Sequence, residues 1–254
     1  MLLVIDIGNT NIVVGVYDGD VLKDHFRISS RPNLTSDEAG FFITGFLERL
    51  RLTNEQIDRV AMCSVVPSLT DVFETMAKKH LGCLPAVISA RARLPIRIEI
   101  DQPDQVGADR IANAAAGYTK YGGPIIIVDF GTATNFDVVD ETGAYIGGVL
   151  IPGPETSLSE LARKAARLFE VRIEPPDSVI GKSTAGALKS GLFYGTVGQV
   201  DYIIDKIIEE CSGKTFKVIA TGGLARGIEK YSRHIKQVEP TLTLEGLRLI
   251  SEMN

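Results

Sequence analysis

The chain has 254 residues, 44% of them hydrophobic and 23% charged, with a formal net charge of -5. That balance describes a globular protein that buries a core of ordinary size in one large or two small domains. It excludes the basic surface that a nucleic-acid backbone requires, and no apolar run approaches the roughly 18 residues of a membrane span, so neither nucleic acid nor membrane is expected as a partner.

The opening segments LLVIDIG, NIVVGVYDGD and VLKDHFRIS alternate with the period of strands, broken by turn formers at Gly8-Asn9 and Asp18-Gly19. They predict an antiparallel meander of three strands, and the first reads as a strand rather than a signal peptide. Thr35-x-x-Glu38 and Thr53-x-x-Gln56 are capping boxes, the first before FFITGFLERL and the second before a short helix leading into strand RVAMCSVV. Pro67-Ser68 ends that strand and starts a helix expected to reach His80, after which PAVIS is strand-like. An acidic loop from Asp101 then turns into an alanine-rich helix, with Gly107-Ala108-Asp109-Arg110 at its start.

From Gly123 the order begins again with strand, turn, strand, turn, strand, then helical SLSELARKAARL. A long helix from about Ser183 to Glu210 follows, then strand FKVIATGG, helix LARGIEKYS, a short strand IKQVE and a final helix. The two openings, VIDIGNTNIVVGVYDGDVL and IVDFGTATNFDVVDETGAYIGGVL, each carry a strand ending in Asp-x-Gly, then Thr and Asn, with Asp6 and Asp129 in the same place. An internal repeat of this length predicts two similar α/β domains, 1–118 and 119–254, each a βββαβαβ mixed sheet with flanking helices and with a ligand cleft between them.

Gly8 and Gly131 let backbone approach a ligand, and Asn9, Thr10, Asn11, Thr132, Thr134 and Asn135 add neutral donors. A carboxylate in each turn repels a bare phosphate, so the pair reads as a clamp for nucleotide phosphate with a cation such as magnesium between. Self-satisfied Asx turns are the plainer reading of either turn alone. Gly222-Gly223, between a strand and a helix, suits either adenosine or simple packing. Asp109 reads in two ways, as a first-turn charge beside Arg110 or as the base that deprotonates an attacking hydroxyl while Arg110 grips an anionic substrate group. A Walker A loop is rejected because Pro176 stands five positions before Gly181 of GKST, and no GxGxxG follows the first strand. Cys63, Cys83 and Cys211 lack CxxC spacing and His25, His80 and His234 stand apart, which disfavours disulfides and zinc and favours a reducing cytoplasm.

Together DIGNTN, VGADRIANA, VDFGTAT, GGVLIPG, SGLFYGTVGQVD and ATGGLA, in this order, resemble the type III pantothenate kinases. These belong to the acetate/sugar kinase, chaperone and actin ATPase superfamily, whose domains are ribonuclease H-like. The resemblance implies phosphorylation of pantothenate by ATP to 4′-phosphopantothenate, the first step toward coenzyme A, in a cytoplasmic homodimer with its sites near the subunit interface. It implies ATP binding by Asp6, Ile7, Gly8, Asn9, Thr10, Asn11, Ile12, Val13 and Thr132, with Asp6 near magnesium. By the same match Asp109 is the base, Gly107, Ala108, Arg110 and Thr184 face pantothenate, and Asp129 holds a monovalent cation, potassium or ammonium. Ile100 stands where similar sequences carry a substrate-facing tyrosine, and Leu168-Phe169 replaces a Leu-Pro pair. The competing class is a non-catalytic regulatory protein on the same fold, against which the intact Asp6, Asp109 and Asp129 argue. Actin-like or chaperone-type ATPases carry large insertions that this length does not accommodate.

Overall fold

The computed structural model describes residues 1–165 and 168–254. The chain divides into two compact units, Met1–Thr119 with Leu242–Asn254, and Lys120–Thr241. In the first unit β1 (Leu2–Ile7), β2 (Asn11–Asp18) and β3 (Val21–Ser29) form the expected antiparallel meander. There follow α1 (Ser36–Arg49), β4 (Arg59–Ser64), α2 (Pro67–Met76), β5 (Ala86–Val87), β6 (Arg97–Ile98) and α3 (Ala108–Tyr121). The unit's main sheet has the order β3-β2-β1-β4-β5, with β4 parallel to β1.

Local chemistry accounts for these boundaries. Both capping boxes form: the Glu38 amide donates to Thr35 Oγ1 at 3.2 Å and the Thr35 amide to Glu38 Oε2 at 2.9 Å, while the Thr53 amide reaches Gln56 Oε1 at 2.8 Å. The helix expected through His80 is α-helical only to Met76, and Ala77–Leu81 continue as a wider π-type turn. That widening carries the His80 carbonyl to the Asn54 amide, 3.0 Å away, and sets its ring over Gly40 of α1. At PAVIS only Ala86 and Val87 pair. Alternate residues Leu3, Ile5 and Ile7 of β1 join Ile12, Val14 and Met62 and the buried faces of α1 and α2, including Ile43, Leu47 and Phe73, in one core.

The second unit holds β7 (Ile125–Phe130), β8 (Ala133–Val139), β9 (Ala144–Pro152), α4 (Pro154–Lys164), α5 (Thr184–Glu210), β10 (Lys217–Gly222), α6 (Ala225–Glu229) and β11 (Gln237–Val238). Its strands run β9-β8-β7-β10-β11, antiparallel in the meander and parallel from β7 through β10 to β11. The two units therefore share one strand order and one set of directions, which is the physical form of the sequence repeat. Residues 166 and 167, at the end of the helix expected over SLSELARKAARL, lie outside the described residues.

The last helix, α7 (Leu242–Met253), departs from the expected division at 118/119, because it groups with the first unit. Its buried residues Leu244, Leu247 and Ile250 belong to a face that packs on β1, β2 and β4, the side of the sheet opposite α1 and α2. Leu244 fills the space left by Gly15, and Thr243 Oγ1 donates to Asn113 Oδ1 of α3 at 2.8 Å. No helix among the described residues is long and apolar enough to cross a membrane.

Gly246 shows how tightly α7 is seated, since a Cβ there would collide with the Ala112 backbone. Alanine for glycine inside a helix ordinarily stabilises by roughly 1 kcal/mol. Here overpacking reverses the sign, and Gly246→Ala is expected to destabilise by about 1–3 kcal/mol. Urea unfolding of the variant checks this; a stabilised protein would show that α7 is loosely held.

Candidate active site

In the first unit the parallel strands β1 and β4 end together, and open α/β sheets bind ligands at such ends. Asp6 is the penultimate residue of β1. Register places Arg27, Val13, Asp6 and Cys63 in one row across β3, β2, β1 and β4. The Cys63 thiol donates to Asp6 Oδ1 at 3.3 Å. In the turn that follows, the Gly8 amide donates to the Asn11 carbonyl at 3.0 Å, and a Cβ on Gly8 would lie 3.0 Å from that oxygen. Ser30 ties the turn down: its Oγ donates to the Gly8 carbonyl at 2.5 Å and its amide to the Thr10 carbonyl at 2.9 Å. Asn9 and Thr10 are exposed, whereas Ile7 and Ile12 are core residues, which leaves only their backbone to a ligand.

Asp109 lies in the first turn of α3, among the half-buried residues Gly107 to Arg110. Its Oδ1 accepts the Arg110 amide at 2.8 Å and folds back so far that a Cβ on Gly107 would meet it. Glycine at 107 is thus required by the carboxylate's position. Burial raises the Asp109 pKa, against the opposing effects of the Arg110 amide and charge. Burial also pushes Asp6 up to about 7, helped by repulsion from Asp109 and opposed by the Cys63 hydrogen bond and the Arg27 charge. Ile100 is half-buried in the bend between β6 and α3.

In the second unit the corresponding row reads Leu150, Asn135, Asp129 and Thr221. Its turn is shorter: the Ile7–Ile12 pair brackets four residues, the Phe130–Thr134 pair three. The Gly131 amide donates to the Ala133 carbonyl at 3.0 Å, and the Thr132 carbonyl accepts the Gly153 amide at 2.9 Å and Thr156 Oγ1 at 2.7 Å. Gly222 has φ of 89°, and a Cβ on it would come within 2.7 Å of Asp129 Oδ1 and strike the Phe130 carbonyl, which also accepts the Gly223 amide at 3.1 Å. Gly222 is therefore required by close packing against β7 and the Asp129 carboxylate, whereas a Cβ on Gly223 would meet open space. Asn135 Oδ1 and Thr134 Oγ1 are buried without a hydrogen-bond partner among the described residues. Thr184 is exposed in the first turn of α5, where Ser183 Oγ accepts the Gly186 amide at 3.1 Å.

The first unit thus gathers Asp6, Gly8, Asn9, Thr10, Asn11 and the Asp109 segment, and the second gathers Asp129 and Thr132 with Gly153 and Gly222. Sequence reasoning missed Arg27, Cys63 and Thr221. The period-2 alternation of HFRIS, RVAMCS and KVIATG contained the signal, but register is needed to align it with the Asp-x-Gly turns.

A family model for type III pantothenate kinase matches residues 2–206. The chain belongs to this family. Curated type III pantothenate kinases of Frankia alni and an Exiguobacterium species are 48% and 45% identical, covering 100% of this chain and 100% and 99% of theirs. Among solved structures the activator of 2-hydroxyisocaproyl-CoA dehydratase from Clostridium difficile, bound to ADPNP, aligns with TM-score 0.59 and 13% identity over 99% of this chain and 95% of that one. Ethanolamine utilization protein EutJ from Carboxydothermus hydrogenoformans aligns with TM-score 0.56 and 14% identity over 98% and 89%. These likenesses establish the fold, that of the actin-like ATPases and sugar kinases. On that fold this chain carries a carboxylate raised to about 7 at the end of β1.

A measurable pH dependence follows. Folded Asp6 keeps its proton up to about pH 7, whereas the unfolded chain releases it near the ordinary 3.8. The folded state binds the extra proton between those values, so the stability linked to this group is complete below about 4 and is lost as pH rises through about 7. Asp6→Asn removes the cost, by an amount on the order of a few kcal/mol at pH 8 and close to none at pH 4. Urea unfolding of both proteins across that range, without nucleotide or divalent cation, is the measurement. A stability gap independent of pH would refute the burial of a charge at Asp6.

Proposed function

We propose that the chain transfers the γ-phosphoryl group of ATP to the primary hydroxyl of pantothenate, giving 4′-phosphopantothenate, with Asp109 as the base. The observation that carries this reading is the proximity of two half-buried carboxylates, Asp109 at the start of α3 and Asp6 at the end of β1, close enough for one charge to raise the other. In phosphoryl transfer such groups have separate tasks. Asp109 accepts the hydroxyl proton as the bond to phosphorus forms, and its burial makes it a stronger acceptor than an exposed carboxylate. Arg110 pairs with the pantothenate carboxylate, and Gly107, Ala108 and Ile100 line the same site, Ile100 through apolar contact alone. The segment Asp6 to Val13 and Thr132 bind the ATP phosphates. Thr184 contacts pantothenate near a homodimer interface, a role in keeping with the exposed apolar side chains of Val179 and Ile180 just before α5.

The donor sets fit the cations this chemistry uses. A desolvated carboxylate repelled by its neighbour, as Asp6 is, suits a hard divalent ion such as magnesium. Asp129, with the buried and unpartnered Asn135 Oδ1 opposite it in register, provides oxygen donors for potassium or ammonium. When bound, these ions offset the negative charge of the phosphates. A cytoplasmic location agrees with three free cysteines, Cys63, Cys83 and Cys211.

Release of ADP from magnesium-ATP and pantothenate, measured in potassium and in sodium, tests the assignment. Asp109→Asn is expected to lower kcat by about 10²–10⁴-fold while leaving the fold intact. Full turnover by that variant would remove Asp109 as the base, and equal turnover in sodium would remove the monovalent cation from Asp129.

A further inference from the structure

We propose that Cys63 is a positioning residue for phosphoryl transfer, its thiol fixing the orientation of the Asp6 carboxylate. The inference rests on the assignment of Asp6 to the nucleotide-phosphate site. Cys63 is fully buried on β4, directly opposite Asp6 in parallel register, and its Sγ stands 3.3 Å from Asp6 Oδ1. A buried cysteine commonly serves as a small apolar filler. This one, however, faces a half-buried carboxylate largely withdrawn from water, and such a group needs a donor. On the other side of Asp6, β2 presents only Val13, and Arg27 lies one strand further away. Within the row the thiol is therefore the donor in direct contact.

The repeat supplies a second, independent observation. At the equivalent position of the second sheet, β10 sets Thr221 opposite Asp129 in the same parallel register. Both turns thus pair an aspartate on the central strand with a small hydroxyl or thiol side chain on the next parallel strand. Core filling alone has no reason to choose a potential donor at both places, since valine or alanine fills such a site as well.

Three substitutions separate the roles. Cys63→Ser keeps a donor, Cys63→Ala removes it, and Cys63→Val keeps volume without it. The serine variant is expected to retain kcat/KM for magnesium-ATP within about threefold, while the alanine and valine variants lose about tenfold, a fall typical of removing a donor from a charged acceptor. KM for pantothenate should stay unchanged in all three. In the nucleotide-free protein the S–H stretching band of Cys63, assigned by its disappearance in Cys63→Ser, should move when Asp6 is replaced by asparagine. In a double-mutant cycle read by calorimetric affinity for magnesium-ADP, Cys63→Ala should cost nothing further once Asp6→Asn is present. Wild-type kinetics in Cys63→Val, or losses in all three variants that simply follow their thermal stability, would overturn the proposal. If Asp6→Asn itself leaves nucleotide affinity unchanged, the Asp6 assignment fails; if it weakens affinity and Cys63→Ala does not, only the role of Cys63 fails.

Discussion

The constraint on which the first unit depends is the placement of a carboxylate, Asp6, at the buried end of a central strand. β1 is covered on both faces, by α1 and α2 on one side and α7 on the other, so its last residues emerge from a dry core. An aspartate there loses most of its hydration, and the consequence is a pKa of about 7 rather than 3.8. The surroundings moderate this cost with a thiol at contact distance and an arginine two strands away in the same row. The same dryness makes the group effective, because charge interactions strengthen as water is excluded.

The duplicated sheets show how one topology supports two different environments. Strand order and direction coincide in the two units, and the key aspartates occupy the same strand position. Their rows differ: Arg27, Val13 and Cys63 flank Asp6, whereas Leu150, Asn135 and Thr221 flank Asp129. The first row leaves its carboxylate beside an apolar neighbour and a second acid, Asp109. The second sets Asn135 and Thr221, with neutral oxygen-bearing side chains, on the strands either side of Asp129, and Asn135 Oδ1 lacks a partner among the described residues. The turns differ as well, by one residue between the flanking pairs, so the backbone amides at Gly8 and Gly131 close on different partners.

Much of this architecture was legible because it is written in local chemistry. Alternation marked the two meanders, the capping boxes at Thr35 and Thr53 marked helix starts, and the Asp-x-Gly repeat announced the duplication. What escaped was whatever depends on contacts distant in sequence. The helix α7 carries an ordinary apolar face, and only its packing on β1, β2 and β4 assigns it to the first unit. The π-type turn at Ala77–Leu81 accompanies contacts with Gly40 and Asn54, which no local pattern announces. Among site residues, Asp6 and Asp109 stood out in their motifs, whereas Cys63 and Arg27 acquire meaning only through strand register. Gly222 and Gly223 are ambiguous for the same reason: only the fold shows Gly222 packed against the Phe130 carbonyl, to which the Gly223 amide also donates.

These features have a common energetic logic. Two desolvated acids near each other in the first unit, and in the second a buried amide oxygen without a partner among the described residues, lower the stability of the ligand-free protein. Native proteins tolerate such local violations where function requires them. Anything that binds the folded state and neutralises those groups raises stability by mass action, with the logarithm of its concentration over its dissociation constant. The dissatisfaction around Asp6, and separately around Asn135, therefore marks places where the folded chain without ligands has most to gain from any group that satisfies them. Filling those places with apolar residues would make a more stable protein and remove that gain.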